Sequence, residues 1–399
     1  MFIDSYQVQD ALNAVKRWGG IMSPQRYLRR AAVLQKLGAS YSTHKPTGLP
    51  VVFDITQSKF ELHQGRYAYT TVALFRDPGR SVYFIPRPGF TAAFDRAPYK
   101  KLLLDGTVLP ARVRDLDQPF WYVTDNWRKA KKMSQHDLCS KVLLLQYSAP
   151  PQDTDFPWYL LPYPMHPVMY QDRSREEVLA LRRADPSFGV LFGGADNALN
   201  SRPVFLGSEE LLGRGRALSF LKGTKEVPTR AVDAYKELWD VRAQNALVLA
   251  SGSQGRIPVE EWLGVLARAR FFLALPGAMK PFAHNIVESL FVGAVPVTEY
   301  GDIFCPPLRD GIECIRFSGK EQLVKALRRA LSMDERDYRV MSTNATKYFD
   351  RYLDGAKFVE MLESSPHRLI GLCLPVVGTM RNAPLRCSGL SQWPEKGQY

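Results

Sequence analysis

The chain has 399 residues, of which 45% are hydrophobic and 23% are charged. A chain of this length exceeds one ordinary core, so two domains are expected, and the composition excludes wholesale disorder. The formal net charge of +13 at pH 7 is compatible with an anionic partner but does not require one. Sugar nucleotides, lipid diphosphates, anionic membranes and nucleic acids are all open alternatives.

The sequence offers no sign of export or membrane insertion. No apolar stretch reaches the roughly 18–20 residues needed to cross a bilayer. The opening residues lack the basic start and apolar centre of a signal peptide. The five cysteines are scattered without C-x-x-C spacing, which indicates reduced thiols. We therefore expect a cytoplasmic protein; its position at the inner face of a membrane is a further hypothesis that rests on charge.

The first part of the chain predicts an α/β domain. Residues 8–18 and 24–37 carry helical spacing of apolar residues, so 1–40 are predicted to form a helical lead-in. Within the first domain, at 41–165, apolar runs predict strands at 51–55, 81–85, 120–124 and 142–147, with a helix at 65–75. A strand, a helix and a second strand in this order open a doubly wound sheet.

The second part alternates strands and helices more regularly. In a domain at 166–340, strands are predicted at 189–192, 246–250, 271–275, 294–298 and 313–317. Helices are predicted at 231–241, 259–269, 283–292 and 321–331. This alternation predicts a parallel sheet. Residues 334–362 are predicted to be helical throughout, and 341–399 form a region of C-terminal helices and tail.

The most informative stretch lies around residue 280. A buried strand ends at the turn Pro276–Gly277, and a helix and another buried strand follow. Ligands in open parallel sheets bind at the carboxyl ends of the strands. The polar residues of this stretch are placed there, where the ribose and phosphates of a nucleotide would be bound. They are Lys280, His284, Asn285 and Glu288.

This stretch resembles the donor-site core of exostosin-like glycosyltransferases and, more loosely, of the α1,3-fucosyltransferase group. The matching parts are Pro276 and Gly277, the Glu288-Ser289-Leu290 segment, and residues 293–297 (Gly-Ala-Val-Pro-Val). The resemblance implies a GT-B fold, with two Rossmann-like doubly wound domains and an interdomain cleft. The second domain would then bind a nucleotide-sugar, and the C-terminal helices would pack back on the first domain.

The sequence departs from that family in two places. The family's arginine falls on Asn285, so Lys280 or another cation would have to neutralise the diphosphate. Many retaining GT-B enzymes use two glutamates eight positions apart, but counting back from Glu288 reaches Lys280. The resemblance therefore implies an inverting enzyme.

Two more groups of candidate residues follow predicted strands. After the first strand of the second domain, Gly193 and Gly194 would let the backbone approach phosphate, and Arg202 would reach the diphosphate. In GT-B enzymes the residue that deprotonates the acceptor often lies after the strands of the first domain. The candidates for this base are His63, Asp125, Asp54 and Glu61.

Other charged motifs have two interpretations. Asp115-Leu116-Asp117 and Asp153-Thr154-Asp155 match the metal-binding D-x-D pattern, but neither follows a suitable strand, so no metal is expected. The basic clusters could be solvated helix faces, or the first could dock on an anionic membrane. The first cluster is Arg128, Lys129, Lys131 and Lys132; a smaller one is Arg214 and Arg216.

Together with these patterns, the family resemblance implies a metal-independent, inverting glycosyltransferase. Its donor is a nucleotide-sugar, its acceptor is a hydroxyl of a glycan or lipid-linked glycan, and its role is in cell-surface polysaccharide synthesis. Two alternatives stay open. A sugar-nucleotide epimerase of the same fold would share the donor site, and a basic nucleic-acid-binding protein would explain the charge.

Overall fold

The computed structural model describes residues 49–56, 66–76, 80–85, 108–146, 154–163, 165–166, 169, 175–194, 204–206, 209–251, 255–277 and 283–373. The chain separates into two compact units, one drawn from 1–145 with 367–370 and the other from 146–366 with 371–399. The predicted lead-in at 1–40 lies outside the described residues. The predicted domain boundaries and interdomain cleft stay predictions.

The described residues form a seven-stranded sheet with spatial order β3-β2-β1-β4-β5-β15-β6. Its strands are β1 Val51–Asp54, β2 Val82–Phe84, β3 Val108–Pro110, β4 Phe120–Thr124, β5 Cys139–Gln146, β6 Trp158–Leu160 and β15 Leu369–Cys373. Helix α1 (Arg66–Arg76) connects β1 to β2, and α2 (Trp127–Met133) connects β4 to β5.

Strand β1 lies at the centre of the first unit's part of this sheet. It pairs in parallel with β2 on one side and with β4 on the other. Its four side chains are buried, as a strand covered on both faces requires. The chain therefore winds outward from β1 in both directions, and a switch point lies at the carboxyl ends of β1 and β4.

The second unit contains a six-stranded sheet with order β10-β11-β7-β12-β13-β14, in which every pairing is parallel. Its strands are β7 Phe188–Gly193, β10 Thr229–Ala231, β11 Ala243–Ala250, β12 Ala269–Ala274, β13 Val295–Thr298 and β14 Ile315–Arg316. Strands β8 Val204–Leu206 and β9 Glu209–Leu211 form an antiparallel pair. The helices of this unit are α3 Arg175–Ala180, α4 Arg214–Gly223, α5 Trp262–Leu266, α6 His284–Val292, α7 Gly319–Ser332, α8 Glu335–Tyr352 and α9 Gly355–Ser364.

The core of the second unit explains why its helices pack where they do. Apolar side chains of the central strands meet Leu218 and Leu221 of α4 and Leu323 and Leu327 of α7. The chain leaves β7 toward β11 and β10, and leaves β12 toward β13. The second switch point therefore lies at the carboxyl ends of β7 and β12.

The predicted α/β class with two doubly wound parallel sheets is confirmed. Several element boundaries were wrong. The helix predicted at 231–241 is a 3-10 turn at Tyr235–Trp239, and α4 was not predicted. The helix predicted over 334–362 is interrupted at Asp354, whose side chain caps α9 by accepting from two backbone N–H groups. Among the described residues, no helix is long and apolar enough to cross a bilayer.

Candidate functional site

Two glycines end strand β7 at the second switch point. A Cβ on Gly193 would lie 2.5 Å from the ring of Trp262, so this glycine lets α5 pack closely on the strand. A Cβ on Gly194 would lie 3.5 Å from Nη1 of Arg214. The predicted phosphate-binding glycines therefore differ: one makes room for a tryptophan, and the other lies beside a guanidinium.

Arg214 is a candidate site residue that the sequence analysis named only as part of a basic cluster. It is the first residue of α4 and only 9% exposed. Its Nη2 makes a long hydrogen bond of 3.5 Å to the carbonyl oxygen of Leu275, directly after β12, and its guanidinium lies over the ring of Phe192 in β7. A buried cation thus stands where the two central strands end.

The spacing of apolar residues could have revealed that Arg214 is buried, although not that it lies at the ends of β7 and β12. Ala217, Leu218 and Leu221 are buried on α4, and Arg214 falls on the same face at helical intervals. Arg216 is exposed instead and pairs with Glu210 at 2.6 Å. The interpretation of this basic cluster as a solvated face fits Arg216 and is wrong for Arg214.

The N-terminus of α6 lies at the same edge of the sheet, since this helix follows β12. The N-cap residue Ala283 supplies no side-chain cap, and a helix N-terminus carries partial positive charge. Asn285 in the first turn is 8% exposed, and its Oδ1 accepts no hydrogen bond within the described part of the chain. The rings of His284 and His166 lie 5.4 Å apart in an edge-to-face arrangement.

Glu288 is fully buried in the middle of α6. Its Oε1 accepts from the backbone N–H of His166 at 2.8 Å, and its Oε2 accepts from Nε1 of Trp262 at 2.6 Å. These bonds tie α6 to α5 and to the segment around His166. The buried carboxylate therefore holds α5, α6 and the segment around His166 together. The predicted contact of Glu288 with a donor ribose stays a prediction.

A second glutamate, Glu299, holds the backbone that leads into α4 just before Arg214. Glu299 follows β13 and accepts from the backbone N–H of Leu212 at 2.5 Å and of Gly319 at 2.8 Å. Burial raises the pKa of Glu299 above its usual value, although the two backbone donors act in the opposite direction. Since Leu212 lies two residues before Arg214, this carboxylate fixes the start of α4.

The first switch point is built around Asp54, the last residue of β1. Its carboxylate is 1% exposed and accepts from both the Tyr122 hydroxyl, at 2.5 Å, and the Lys129 ammonium, at 3.0 and 2.9 Å. Lys129 belongs to the predicted membrane-docking cluster, but its ammonium points back to the sheet edge. The sequence did not predict this buried ion pair.

Asp125 lies directly after β4, beside Asp54. Its Oδ1 accepts from both the backbone N–H and the hydroxyl of Thr56, each at 2.7 Å. The next residue, Asn126, caps α2 by accepting from the backbone N–H of Lys129. Two candidate bases thus share one sheet edge: Asp54 is held by Tyr122 of β4 and Lys129 of α2, and Asp125 is held by Thr56, two residues after β1.

The remaining candidates lie outside the described residues. These are His63, Glu61, Arg202, Lys280 and Asp153. Asp115 ends a 3-10 turn and accepts from the backbone N–H of Arg112. Within the described ranges, no three His, Cys, Asp or Glu side chains form a group that could hold a metal ion. Metal-independent chemistry stays a prediction.

Known proteins resemble this chain only weakly. No protein-family model matches it, and no curated protein matches it either. The crystal structure of Anabaena Alr3699/HepE in complex with UDP is similar with a TM-score of 0.40 and 10% identity, over 79% of this chain and 100% of that chain. An α-glucosyltransferase (AGT) in complex with UDP is similar with a TM-score of 0.40 and 9% identity, over 79% of this chain and 99% of that chain. Structural similarity with so low a TM-score and sequence identity does not assign an activity to this chain.

Proposed function

We propose that this protein is a GT-B glycosyltransferase that moves a sugar from a nucleotide-activated donor to a hydroxyl of a glycan or lipid-linked glycan. The observation that carries the proposal is Arg214, a buried guanidinium at the carboxyl ends of β7 and β12. Open parallel sheets bind their ligands at this kind of switch point. The second unit would accordingly bind the donor, and the first would supply the base.

A nucleoside diphosphate fits the chemistry at this edge. Arginine recognises phosphate through paired N–H donors. Gly194 has no side chain to hinder the approach of a phosphate to that guanidinium. The first turn of α6 has no side-chain cap, so its backbone N–H groups can bind an anion. In this proposal Arg214 supplies the positive charge that the exostosin-like pattern places at the position of Asn285.

In the first unit we assign the general base to Asp125. Both oxygens of Asp54 already bond the Lys129 ammonium, so Asp54 serves as an ion-pair partner. The carboxylate of Asp125 is oriented by Thr56 through one oxygen. His63 is the alternative base.

The reaction would be a single displacement. The base takes the proton of the acceptor hydroxyl, and the acceptor oxygen attacks the anomeric carbon of the sugar. The bond from that carbon to the diphosphate oxygen breaks, which inverts the configuration. Arg214 and the N-terminus of α6 stabilise the negative charge on the leaving diphosphate without a metal ion. A role in cell-surface polysaccharide synthesis and a cytoplasmic location belong to the same proposal.

A thermal-shift screen against UDP-, GDP-, CMP- and dTDP-sugars tests the donor site. We expect one class of sugar nucleotide to raise the Tm of the wild type and of Arg216→Met. We expect the shift to be absent in Arg214→Met because, of these two arginines, Arg214 is the one that lies at the sheet edge. The Tm of Arg214→Met without ligand shows whether this variant folds. If it does not fold, Arg214→Lys takes its place in the screen.

Loss of the thermal shift in both Arg214→Met and Arg216→Met, or no shift in the wild type with any sugar nucleotide, would contradict the proposed donor site.

The transfer step is tested separately by the release of free nucleotide. We expect release to require an added glycan acceptor and to fall about a hundredfold or more in Asp125→Asn. Release without any acceptor, unchanged in Asp125→Asn, would contradict transfer.

A further inference from the structure

Helix α2 has two faces of different chemistry. Ala130 and Met133 are buried, and Lys129 bonds Asp54, so this side of the helix faces the protein. The other side is solvent-exposed over an arc of about 140°, at about 100° per residue. Its members are Trp127, Lys131, Arg128 and Lys132. We call these four residues the α2 patch.

Among the residues that the structure describes, no carboxylate pairs with the cations of this patch. Within the described residues, neither Arg128 nor Lys131 nor Lys132 forms an ion pair. In contrast, the exposed Arg329 pairs with Asp310 at 3.0 Å. No acidic residue lies within α2 itself. The patch therefore presents three positive charges on one capped helix.

An exposed tryptophan sits among these charges. Trp127 is 46% exposed, although an indole of this size loses favourable burial in water. An indole flanked by lysine and arginine is the combination that suits the headgroup layer of an anionic bilayer. The seven residues of α2 span about 10 Å, which is a compact footprint and not the extended track of cations that follows a nucleic-acid backbone.

We propose that the α2 patch docks this protein on an anionic membrane surface, with the three cations against lipid headgroups and the Trp127 indole at the interface. The docking goes beyond sugar transfer and does not depend on it. It has one consequence for the proposed reaction: Asp125 lies two residues before α2, so the candidate base would be held near the surface where a lipid-linked acceptor lies.

The test is co-sedimentation of the full chain with vesicles of phosphatidylcholine and phosphatidylglycerol, against phosphatidylcholine alone. We compare the wild type with the triple variant Arg128→Glu, Lys131→Glu, Lys132→Glu. The matched control is Lys225→Glu, Arg230→Glu, Lys236→Glu. It removes one arginine and two lysines that are also exposed but lie in a loop, in β10 and in a 3-10 turn. Circular dichroism verifies that each variant folds.

We expect binding to the anionic vesicles only, weakened by salt. The α2 triple should lower the partition constant about a hundredfold or more, and the control triple far less. Trp127→Ala should lower it several-fold, whereas Trp239→Ala, at another exposed indole, should not. Absence of vesicle binding, equal loss in both triples, or salt-steep binding of a duplex oligonucleotide without vesicle binding would overturn the proposal.

Discussion

The buried carboxylate of Asp54 depends on one neighbouring residue, Lys129, to balance its charge. It is nearly inaccessible, and its charge is balanced by Lys129 at 2.9 Å. Removing one partner of a buried pair leaves an uncompensated charge. We therefore expect Lys129→Met to lower the free energy of unfolding by about 3 kcal/mol or more, measured by urea denaturation.

The neighbouring Arg128 is exposed and forms no ion pair among the described residues, so it provides the control. Arg128→Met should change the free energy of unfolding by less than about 0.5 kcal/mol. Equal effects of the two substitutions would mean that the Asp54–Lys129 contact contributes nothing in solution.

Glu299 makes stability depend on pH. Burial raises its pKa in the folded protein above the value of the unfolded chain, so the folded state holds this proton more tightly. Its contribution to stability is therefore fully present below the pKa of the unfolded chain, about 4.3, and is lost as pH rises through the folded pKa. The free energy of unfolding of the wild type, minus that of Glu299→Gln, should fall as pH rises from about 4 to 7. A difference that rises with pH over this range would show that the two backbone donors outweigh burial.

Some residue roles were within reach of the sequence and some were not. Helical spacing alone places Arg214 on the buried face of α4. The partners of Glu288 and Glu299 could not be predicted, because Glu288 bonds a backbone group 122 positions away and Glu299 one 87 positions away. Contacts of this separation depend on how the strands and helices pack, which a local pattern does not encode.

At the scale of the elements, Gly293 ends α6 in the left-handed conformation with φ of 84°. A Cβ there would lie 2.7 Å from Oγ of Ser342, which in turn donates to the carbonyl oxygen of Gly293 at 2.7 Å. Gly293→Ala should therefore cost about 2 kcal/mol or more in free energy of unfolding, because backbone strain and the clash add.

Gly319 is the matched position. Its φ is 72°, but a Cβ there would meet no atom nearer than 4.0 Å. Gly319→Ala should cost only the backbone term, about 1 kcal/mol. Chemical denaturation of both variants separates the two effects, and a cost at Gly293 no larger than at Gly319 would show that α6 and α8 adjust freely.

The same elements show which patterns were predictable. Strands β4, β12 and β13 and helix α6 were predicted because buried parallel strands give continuous apolar runs next to a helical period. Strand β15 was not predicted, although Ile370, Leu372 and Cys373 are buried. Its apolar run is interrupted by Gly371 and lies in a stretch rich in glycine and proline, so no strand pattern stands out from the sequence.

For the whole molecule, the alternation of strands and helices was enough to predict two doubly wound sheets. It was also enough to place candidate residues at the carboxyl ends of the right strands, such as Asp54, Asp125 and Gly194. The order of strands within each sheet was not encoded locally. That order is what brings Arg214 to the ends of β7 and β12, so the central cation emerged only from the structure.

The donor site is tested most directly by hydrogen–deuterium exchange with the sugar nucleotide that gives the largest thermal shift. We expect slower exchange in peptides covering 192–194, 212–216, 274–277 and 284–288, with no change over α9. We also expect Arg214→Met to abolish this protection and Arg216→Met to keep it. Protection confined to the first unit, or protection that survives in Arg214→Met, would contradict a nucleotide-sugar site at the second switch point.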